Sequence, residues 1–327
     1  MHQRSRAISK KMNQARIVFM GTPDFALGCL EAITSQPHNV VGVVTAPDRP
    51  AGRGKKLHQS PVKTFALQEG IPLLQPLKLK DPEFLDQLKE WKPDLIIVVA
   101  FRMLPKEVWS LPPLGTFNLH ASLLPDYRGA APINWAIIKG ETQTGVTTFL
   151  IDEAIDTGAV LMQQKVSIAP TDDAGILHDK LLDAAQDLIP KTIEGLWQKT
   201  LQPIPQKEPD PQKIAPKLYP ENTRINWKDE PQKIQNHIRG LSPYPSAWTQ
   251  LEQPNAEAVR LKIFKTTWEA QSHNHRSGTW ITAGKTLGVA LDGGILKILE
   301  LQWPGKKRMT AQELLNGRSF EAESLVE

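Results

Sequence analysis

The chain has 327 residues, of which 40% are hydrophobic and 23% charged, the composition of an ordinary globular protein long enough for two domains. Its formal net charge of +4 equals the four basic residues of the opening stretch MHQRSRAISKKMN, so net charge alone does not indicate a nucleic-acid partner. That stretch has no apolar segment, so we expect residues 1–14 to be a disordered basic tail and not a secretory signal, with Met12 as an alternative start. The single cysteine, Cys29, and the lack of a membrane-length apolar run predict a cytoplasmic protein without disulfides.

The first half of the chain alternates predicted strands with predicted helices, which is typical of an α/β protein. A strand over 16–20 (RIVFM) is followed by a glycine turn and a helix to about residue 35, and the buried run DLIIVVA predicts a central parallel strand over 94–100. The first turn lacks the later glycines of a dinucleotide fingerprint, and no phosphate-binding P-loop is present, so a nicotinamide or nucleotide enzyme is disfavoured. We predict a doubly wound, mostly parallel, Rossmann-like sheet.

A basic loop, APDRPAGRGKKLHQSP, follows the predicted second strand over 40–45. It carries four cations and one acid, and its glycines and prolines exclude it from a packed core. Such a loop is usually only solvated, but its position at a strand end predicts contact with a polyanion. Its candidate residues are Arg49, Arg53, Lys55 and Lys56.

The stretch 115–132 (GTFNLHASLLPDYRGAAP) predicts the functional centre. Side chains alternate along a strand, so Asn118, His120 and Ser122 should share one face near its carboxyl end, where active sites of open α/β sheets lie. An amide donor beside an imidazole predicts an oxyanion-stabilising pair, and the loop carrying Arg128 predicts a ligand grip. The alternative is that Asn118 and His120 are satisfied core polar groups or strand-end caps.

Two further segments are expected at the same edge of the sheet. The acidic turn with Asp152 and Asp156, between predicted strands, could bring a carboxylate against His120 for proton transfer, although most acidic turns are only turns. The segment FRMLP after the buried strand could line a flat apolar pocket or belong to the core; its candidate residues are Phe101, Met103 and Leu104.

A proline-rich segment over 201–221 predicts an extended linker after a catalytic domain over 15–200. The remainder, 222–327, opens with a predicted helix and then alternates short strands with glycine turns, which predicts a small antiparallel, OB-like β-barrel. Near its end, Lys306, Lys307 and Arg308 form a basic patch that could bind phosphates.

The stretches NLHASLLPDYRGAAPINWA and IDEAIDTG resemble the folate-dependent formyltransferases. The additional stretches FMGTPDFA, PDRPAGRGKKLHQSPVK and PGKKRMTAQELLNGR are similar to the branch of that family that formylates methionyl initiator tRNA. The resemblance runs from about residue 16 to the end of the chain. It implies that 10-formyltetrahydrofolate is the formyl donor, that no metal is needed, and that initiator tRNA is the partner of a monomeric enzyme without a membrane contact.

The resemblance also implies roles for particular residues. Asn118, His120 and Asp156 fall on the catalytic asparagine, histidine and aspartate of the family. Ser122, Leu123, Leu124 and Pro125 fall on its folate-binding SLLP motif. The further candidates for folate contacts are Phe101, Met103, Leu104 and Asp152. The loop around Arg53 and the C-terminal barrel fall on the parts that bind tRNA. The chain departs from the family pattern at Ala121 and in the shorter segment AFRMLP, which stands where AYGLILP is expected.

Three other functions remain open from the sequence. The same chemistry on a small amine, such as an amino sugar nucleotide, would need neither the basic loop nor the barrel. A non-catalytic RNA-binding protein would not need Asn118, His120 and Asp156. Hydrolysis of the formyl group to formate would need only water in place of the amine.

Overall fold

The computed structural model describes residues 14–51, 56–254, 256–321 and 324–326, with only the backbone of Ala51 and Lys56. Arg53 and Lys55, and all but the last residue of the predicted tail, therefore lie outside the described residues. Among the described helices, none is both long enough and apolar enough to cross a bilayer.

The first part of the chain alternates strands and helices, as predicted. Its strands are β1 Arg16–Gly21, β2 Asn39–Val44, β3 Arg49–Ala51, β4 Lys56–His58, β5 Leu73–Leu74, β6 Leu95–Val99, β7 Thr116–His120, β8 Arg128–Gly129, β9 Gln143–Leu150 and β10 Val160–Ser167. Its helices are α1 Asp24–Thr34, α2 Pro61–Gln68, α3 Pro82–Glu90, α4 Lys106–Trp109, α5 Pro132–Ile138 and α6 Ala174–Trp197.

Seven of these strands form one sheet in the order β10-β9-β7-β6-β1-β2-β5. The pairs from β7 through β6, β1 and β2 to β5 are parallel, and β9 runs antiparallel to β7. The chain first builds outward from β1 to β2 and β5 and then returns to place β6 on the other side of β1. The predicted doubly wound, Rossmann-like sheet is thus confirmed, and its topological switch point lies between β1 and β6.

Local sequence explains the elements around this switch point. All five residues of β6 are buried, as its continuous apolar sequence predicted. Helix α2 begins with Pro61 at its first turn, and the hydroxyl of Ser60 accepts a hydrogen bond from the Lys63 N–H at 3.0 Å, which caps the helix. The loops at the carboxyl edge of the sheet therefore follow a fully buried strand, β6, and precede a capped helix, α2.

The C-terminal part forms the predicted antiparallel barrel. Its elements are β11 Ile214–Ala215, a 3₁₀ turn Glu221–Thr223, α7 Pro231–Leu241, β12 Ala247–Glu252, β13 Val259–Ala270, β14 Trp280–Ala283, β15 Thr286–Leu291, β16 Gly294–Gln302, β17 Arg308–Thr310, α8 Ala311–Gly317 and β18 Leu325–Val326. The sheet order is β14-β15-β16-β13-β12-β18, with β17 beside β16. Hydrogen bonds from Trp280 N to Ser324 O (2.8 Å) and from Val326 N to Gly278 O (2.9 Å) link the two ends, so the sheet is nearly closed.

The barrel has its own apolar core. Buried strand residues such as Ile263, Leu296 and Leu301 pack with Ile234 and Ile238 of α7. Because one face of α7 is apolar and packs into this core, the helix belongs to the barrel unit although it precedes all of its long strands.

The described chain divides into two compact units that do not follow simple sequence order. One holds the described residues up to Arg128 together with Gly145–Val166 and Asp179–Lys213, and the other holds Gly129–Thr144, Ser167–His178 and the described residues from Ile214 onward. The domain limits predicted above, at 200 and 222, stay a prediction.

Candidate active site

His120 ends strand β7 and is only 6% exposed. Its Nε2 lies 2.8 Å from the backbone carbonyl oxygen of Tyr127. A carbonyl oxygen can only accept, so Nε2 carries the hydrogen of this bond. The bond fixes the orientation of the imidazole and leaves Nδ1 as the atom that can take part in chemistry.

Asp156 lies on the Nδ1 side of His120. Oδ2 of Asp156 is 3.8 Å from Nδ1 of His120. The Asp156 side chain is 13% exposed and the His120 side chain 8%. The carboxylate of Asp156 and the imidazole nitrogen that does not bond to Tyr127 thus face each other in a largely buried setting. The structure thus brings one carboxylate of the acidic turn to the imidazole, as the sequence analysis expected.

The backbone around Asp156 is held in an unusual conformation. Asp156 has φ +56°, in the left-handed region, and the Gln206 side-chain amide donates to the carbonyl oxygens of Asp156 (2.9 Å) and Gly158 (2.8 Å). Arg128 Nη2 donates to Oε1 of Gln206 at 2.6 Å. A Cβ on Gly158 would lie 1.7 Å from the Leu150 carbonyl oxygen, so only glycine fits after Asp-Thr. Sequence reasoning missed Gln206, because nothing in the proline-rich segment around it signals a contact 50 residues away.

Asn118 lies two residues before His120 on β7 and therefore shares its face of the sheet. It pairs with Val98 of β6 and Phe149 of β9 and is half-buried. Its side-chain amide makes no hydrogen bond to any residue in the described part of the chain. The strand thus presents an uncommitted N–H donor beside the imidazole.

The loop after β7 is fixed from beneath by Thr147. This buried hydroxyl donates to the Ser122 carbonyl oxygen at 2.6 Å and accepts from the Leu124 N–H at 3.1 Å. Gln163 Nε2 donates to the Leu124 carbonyl oxygen at 2.9 Å and to the Thr147 hydroxyl at 3.0 Å. The Ser122 hydroxyl is used within the loop, because it donates to the Asp126 carbonyl oxygen at 2.6 Å. Leu123 and Pro125 remain partly exposed, and Leu124 is buried.

The other predicted folate-binding residues differ in how far they are exposed to solvent. Phe101 is half-buried, Met103 is 68% exposed, and Leu104, at 7%, packs in the core beneath the sheet edge. Asp152 is exposed, and its Oδ1 accepts from the Thr157 hydroxyl at 2.7 Å, which shapes the acidic turn. Within the described ranges, no three His, Cys, Asp or Glu side chains are grouped as metal ligands are.

A cleft of about 510 Å³ lies at the topological switch point. Its lining follows the carboxyl ends of β1, β2 and β6 and includes Thr22, Ala46, Arg49, Phe101 and Arg102. Open α/β sheets bind ligands at such a point. The cleft therefore lies where the sequence placed a ligand site, one strand away from Asn118 and His120.

The basic loop is anchored beside this cleft. Lys63 Nζ lies 2.6 Å from Oδ2 of Asp48, and Gln75 Nε2 donates to Oδ1 of Asp48 at 2.9 Å. These hydrogen bonds, first from Gln75 and then from Lys63, lower the pKa of the Asp48 carboxyl. The hydroxyl groups of Thr45 and Ser60 form a hydrogen bond of 2.9 Å. The loop thus leaves β2 from a fixed base and begins as the short hairpin β3–β4, which the sequence did not predict.

On the barrel, one row of outward side chains crosses four strands. Trp248 of β12 pairs with Lys262 of β13, Lys262 with Gln302 of β16, and Gln302 with Arg308 of β17. Arg308 also contacts Glu300, with Nη2 2.6 Å from Oε2. The predicted Lys306–Arg308 patch is therefore one end of a longer polar row.

The other end of this row is an aromatic and cationic cluster. The Arg260 guanidinium lies over the Trp248 ring, 3.8 Å from the ring centroid, and the Arg224 guanidinium lies 5.4 Å from the same centroid. Trp248 Nε1 donates to the Pro220 carbonyl oxygen at 2.8 Å, which fixes the ring. Arginines held over a half-exposed aromatic ring are an arrangement that suits single-stranded or backbone contacts with nucleic acid.

Comparison with protein families and with known proteins agrees with this architecture. The formyl transferase family matches residues 15–193, and the C-terminal domain of formyl transferases matches residues 217–319. Methionyl-tRNA formyltransferase from Bacteroides thetaiotaomicron is 51% identical over 311 residues, covering 94% of this chain and 97% of that protein. The one from Flavobacterium johnsoniae is 49% identical over 315 residues, covering 96% and 100%.

Solved structures with low sequence identity share the fold. The N-formyltransferase from Helicobacter canadensis, in complex with folinic acid and dTDP-3-aminofucose, has a TM-score of 0.63 at 21% identity and covers 90% of this chain and 100% of that chain. HypX from Aquifex aeolicus, in complex with tetrahydrofolic acid, has a TM-score of 0.63 at 18% identity. The match covers 92% of this chain and 47% of the HypX chain. Together with the near-full-length relatives, the two family matches show that this chain belongs to the methionyl-tRNA formyltransferase family.

Proposed function

We propose that this chain transfers the formyl group of 10-formyltetrahydrofolate to the α-amino group of methionyl initiator tRNA. The observation that carries the proposal is the convergence of Asn118, His120 and Asp156 at one sheet edge, in a chain about 50% identical over nearly its whole length to methionyl-tRNA formyltransferases. Such an enzyme would act in the cytoplasm, where initiator tRNA is charged. We also propose that it acts as a monomer.

Asn118 stabilises the negative charge that develops on the formyl oxygen during transfer. The amine needs no strong base, because an α-amino group has a pKa near ~8 and is partly neutral already. The oxyanion is the harder problem, and the uncommitted amide of Asn118 donates a hydrogen bond to it. Loss of such a donor typically costs about 2.7 to 4 kcal/mol of activation free energy.

His120 and Asp156 handle the proton. With Nδ1 protonated, His120 offers a second, charged donor to the developing oxyanion. Asp156 accepts the proton that the amine loses; the tetrahedral intermediate then collapses by cleavage of the bond between the formyl carbon and N10 of the folate, and a proton passes to N10 as tetrahydrofolate leaves. The hydrogen bond from Nε2 to Tyr127 keeps the imidazole in place throughout the reaction.

Leu123, Pro125 and Phe101 are proposed to contact the pterin ring, because they combine apolar surface with partial exposure at the sheet edge. Leu124 supports this wall from the core side, and Met103 and Asp152 are proposed at its rim. Ser122 positions the loop through its bond to Asp126. The backbone of 122–124, tied to Thr147, is rigid enough to serve as a binding wall.

Two basic regions are proposed to bind the tRNA. One is the loop that begins at Arg49 and includes Arg53, Lys55 and Lys56. The other is the outward row of the barrel, from Trp248 to Arg308, with Lys306 and Lys307 beside it. Both offer guanidinium or ammonium groups to phosphates, which supply most of the affinity of proteins for nucleic acids.

The test is transfer of labelled formyl from 10-formyltetrahydrofolate to methionyl initiator tRNA, with His120→Ala and a reaction without tRNA as controls. Transfer that requires both tRNA and His120 would support the proposal. Transfer to an amino sugar nucleotide but not to tRNA would assign the chain to small amines, and formate release without any acceptor would indicate hydrolysis. Binding of tRNA without turnover would indicate a non-catalytic RNA-binding protein.

A further inference from the structure

We propose that Arg102 and Arg49 form a phosphate-binding subsite for the single-stranded 3′ end of the RNA acceptor, in the cleft at the β1–β6 switch point. The inference rests on the function proposed above and adds a binding residue, Arg102, that belongs to the segment AFRMLP. Both guanidinium-bearing side chains line the cleft of about 510 Å³, together with His58 of β4 and the start of helix α1.

Arg102 is held in place by backbone carbonyl groups. Its Nη1 donates to the Leu77 carbonyl oxygen at 2.8 Å, its Nη2 donates to the Pro76 carbonyl oxygen, and its guanidinium carbon lies 5.5 Å from the Phe101 ring centroid. These hydrogen bonds use two of the five N–H groups of a guanidinium, which leaves others for a ligand. The charge is thus positioned without being neutralised.

The two arginines lie close enough to repel one another. Partial burial and, next, the positive charge of Arg49 lower the pKa of the Arg102 guanidinium, which still stays protonated at neutral pH. Within the described part of the chain, neither arginine has an ion-pair partner. The carboxylate next to Arg49 in sequence, Asp48, is already occupied by Lys63 and Gln75.

The remaining charges of the lining do not cancel this pair. Asp24 is the one carboxylate there, and it stands in the first turn of α1, where the positive end of the helix dipole opposes its charge. Two like charges kept together in an open cleft with one acid are a preformed site for an anion. A phosphate would relieve their repulsion.

The position of the cleft favours an RNA phosphate. β6, which leads to Arg102, is the hydrogen-bonded neighbour of β7, which carries Asn118 and His120. Neighbouring strands are about 5 Å apart, so a terminal nucleotide with its phosphate in the cleft keeps its aminoacyl group near the proposed oxyanion site. The cleft also shares Arg49 and His58 with the hairpin that opens the basic loop.

The test measures formyl transfer to methionyl-tRNA by the full-length chain and by Arg102→Met, Arg102→Lys, Arg49→Met and the double variant R49M/R102M. Lys165→Met is the control, because it removes an exposed positive charge from β10 on the far edge strand of the sheet. We expect Arg102→Met to raise the KM for methionyl-tRNA about tenfold or more, as loss of a charged hydrogen bond does. The kcat and the KM for 10-formyltetrahydrofolate should stay within about twofold.

A salt titration separates a phosphate contact from a structural role. Each lost contact to a single strand lowers the slope of log(kcat/KM) against log salt concentration by about 0.7; Arg102→Met should show this loss, and Arg102→Lys should not. If both arginines hold one phosphate, the double variant raises the KM by less than the product of the single effects. With tRNA that lacks its single-stranded 3′ end, binding by the wild type and Arg102→Met should be equal.

Unchanged tRNA kinetics and salt slope in Arg102→Met would overturn the inference, and so would an effect confined to the KM for the folate, because that would assign the cleft to the carboxylates of the donor. A lower melting temperature of Arg102→Met with an unchanged salt slope would show that Arg102 has only a structural role. That result would also overturn the inference. Failure of the proposed function is separate, because then the wild type itself would not formylate methionyl-tRNA.

Discussion

His120 Nδ1 faces Oδ2 of Asp156 at 3.8 Å while His120 Nε2 is committed to the carbonyl oxygen of Tyr127. The imidazole therefore has one nitrogen fixed by a backbone carbonyl group and one nitrogen that faces a carboxylate. This relationship depends on residues from the end of β7, the loop after it and the acidic turn.

Asp156→Asn should lower kcat by about 10² to 10⁴, the usual range for loss of a proton-transfer group, with little change in the KM for either substrate. The amide carries no negative charge opposite Nδ1 of His120 and cannot accept a proton from the amine. Steady-state kinetics over a range of pH would measure this. Glu153→Gln is the matched control, because Glu153 lies in the same turn but pairs with Lys106 at the surface. Equal activity of the two variants would remove Asp156 from the mechanism.

Asn118→Asp should lower kcat by about 10² or more while folate affinity is retained, because a carboxylate acceptor replaces a donor and faces the developing negative charge. Single-turnover kinetics and equilibrium folate binding would measure the two effects separately. Turnover close to that of the wild type would refute the assigned role of Asn118.

Thr147→Val should destabilise the loop after β7 by about 1 to 3 kcal/mol, because the Leu124 N–H and the Ser122 carbonyl oxygen lose a buried partner. The KM for the folate should rise, because the loop after β7 is proposed to form a wall of the folate site and would be held less firmly. Thr144→Val is a matched control on the same strand, since the buried Thr144 hydroxyl has no hydrogen-bond partner among the described residues. Denaturant unfolding would compare the two, and equal losses of stability would contradict the prediction.

Arg260→Gln should weaken tRNA binding and lower its salt slope by about 1, with kcat unchanged at saturating tRNA. Trp248→Leu should weaken binding through lost stacking and contact area. Titration of the intrinsic tryptophan fluorescence with tRNA would follow both variants. Lys285→Gln, at an exposed hairpin tip between β14 and β15, is the control. A salt slope in Arg260→Gln equal to that of the control would remove this face of the barrel from the interface.

The free energy of unfolding should fall as the pH falls below about 6.5. Burial lowers the pKa of His237, opposed by hydrogen bonds to the backbone of Thr223 and Arg224 and by the charge of Asp229, and burial also lowers the pKa of His38, opposed by the charge of Glu194. A histidine whose pKa is lower in the folded state binds its proton more tightly when the chain is unfolded. Its contribution to the free energy of unfolding is therefore complete above the unfolded pKa near 6.5 and declines below that pH. Urea unfolding at pH 8 and pH 5.5 should show a smaller loss for His237→Gln than for the wild type; equal losses would be evidence against this source of pH dependence.

The sequence by itself determined most of the helices and strands and named the candidate site residues. The buried run of β6 and the strand, turn and helix after residue 16 were enough to predict the doubly wound sheet, because apolar periodicity reports burial directly. The alternation along β7 was enough to place Asn118 and His120 on one face at the carboxyl edge. The short strands and glycine turns after residue 222 predicted the barrel for the same reason.

Only the tertiary structure decided which distant residues meet. Gln206 holds the Asp156 backbone, Thr147 holds the loop after β7, and Arg102 shares a cleft with Arg49. None of these contacts has a local signature, because each joins residues whose proximity is set by the order of strands in the sheet and by the path of the chain outside it. The local sequence pattern determines whether a segment is a helix or a strand and which face a residue lies on. Long-range packing determines which distant residue it contacts.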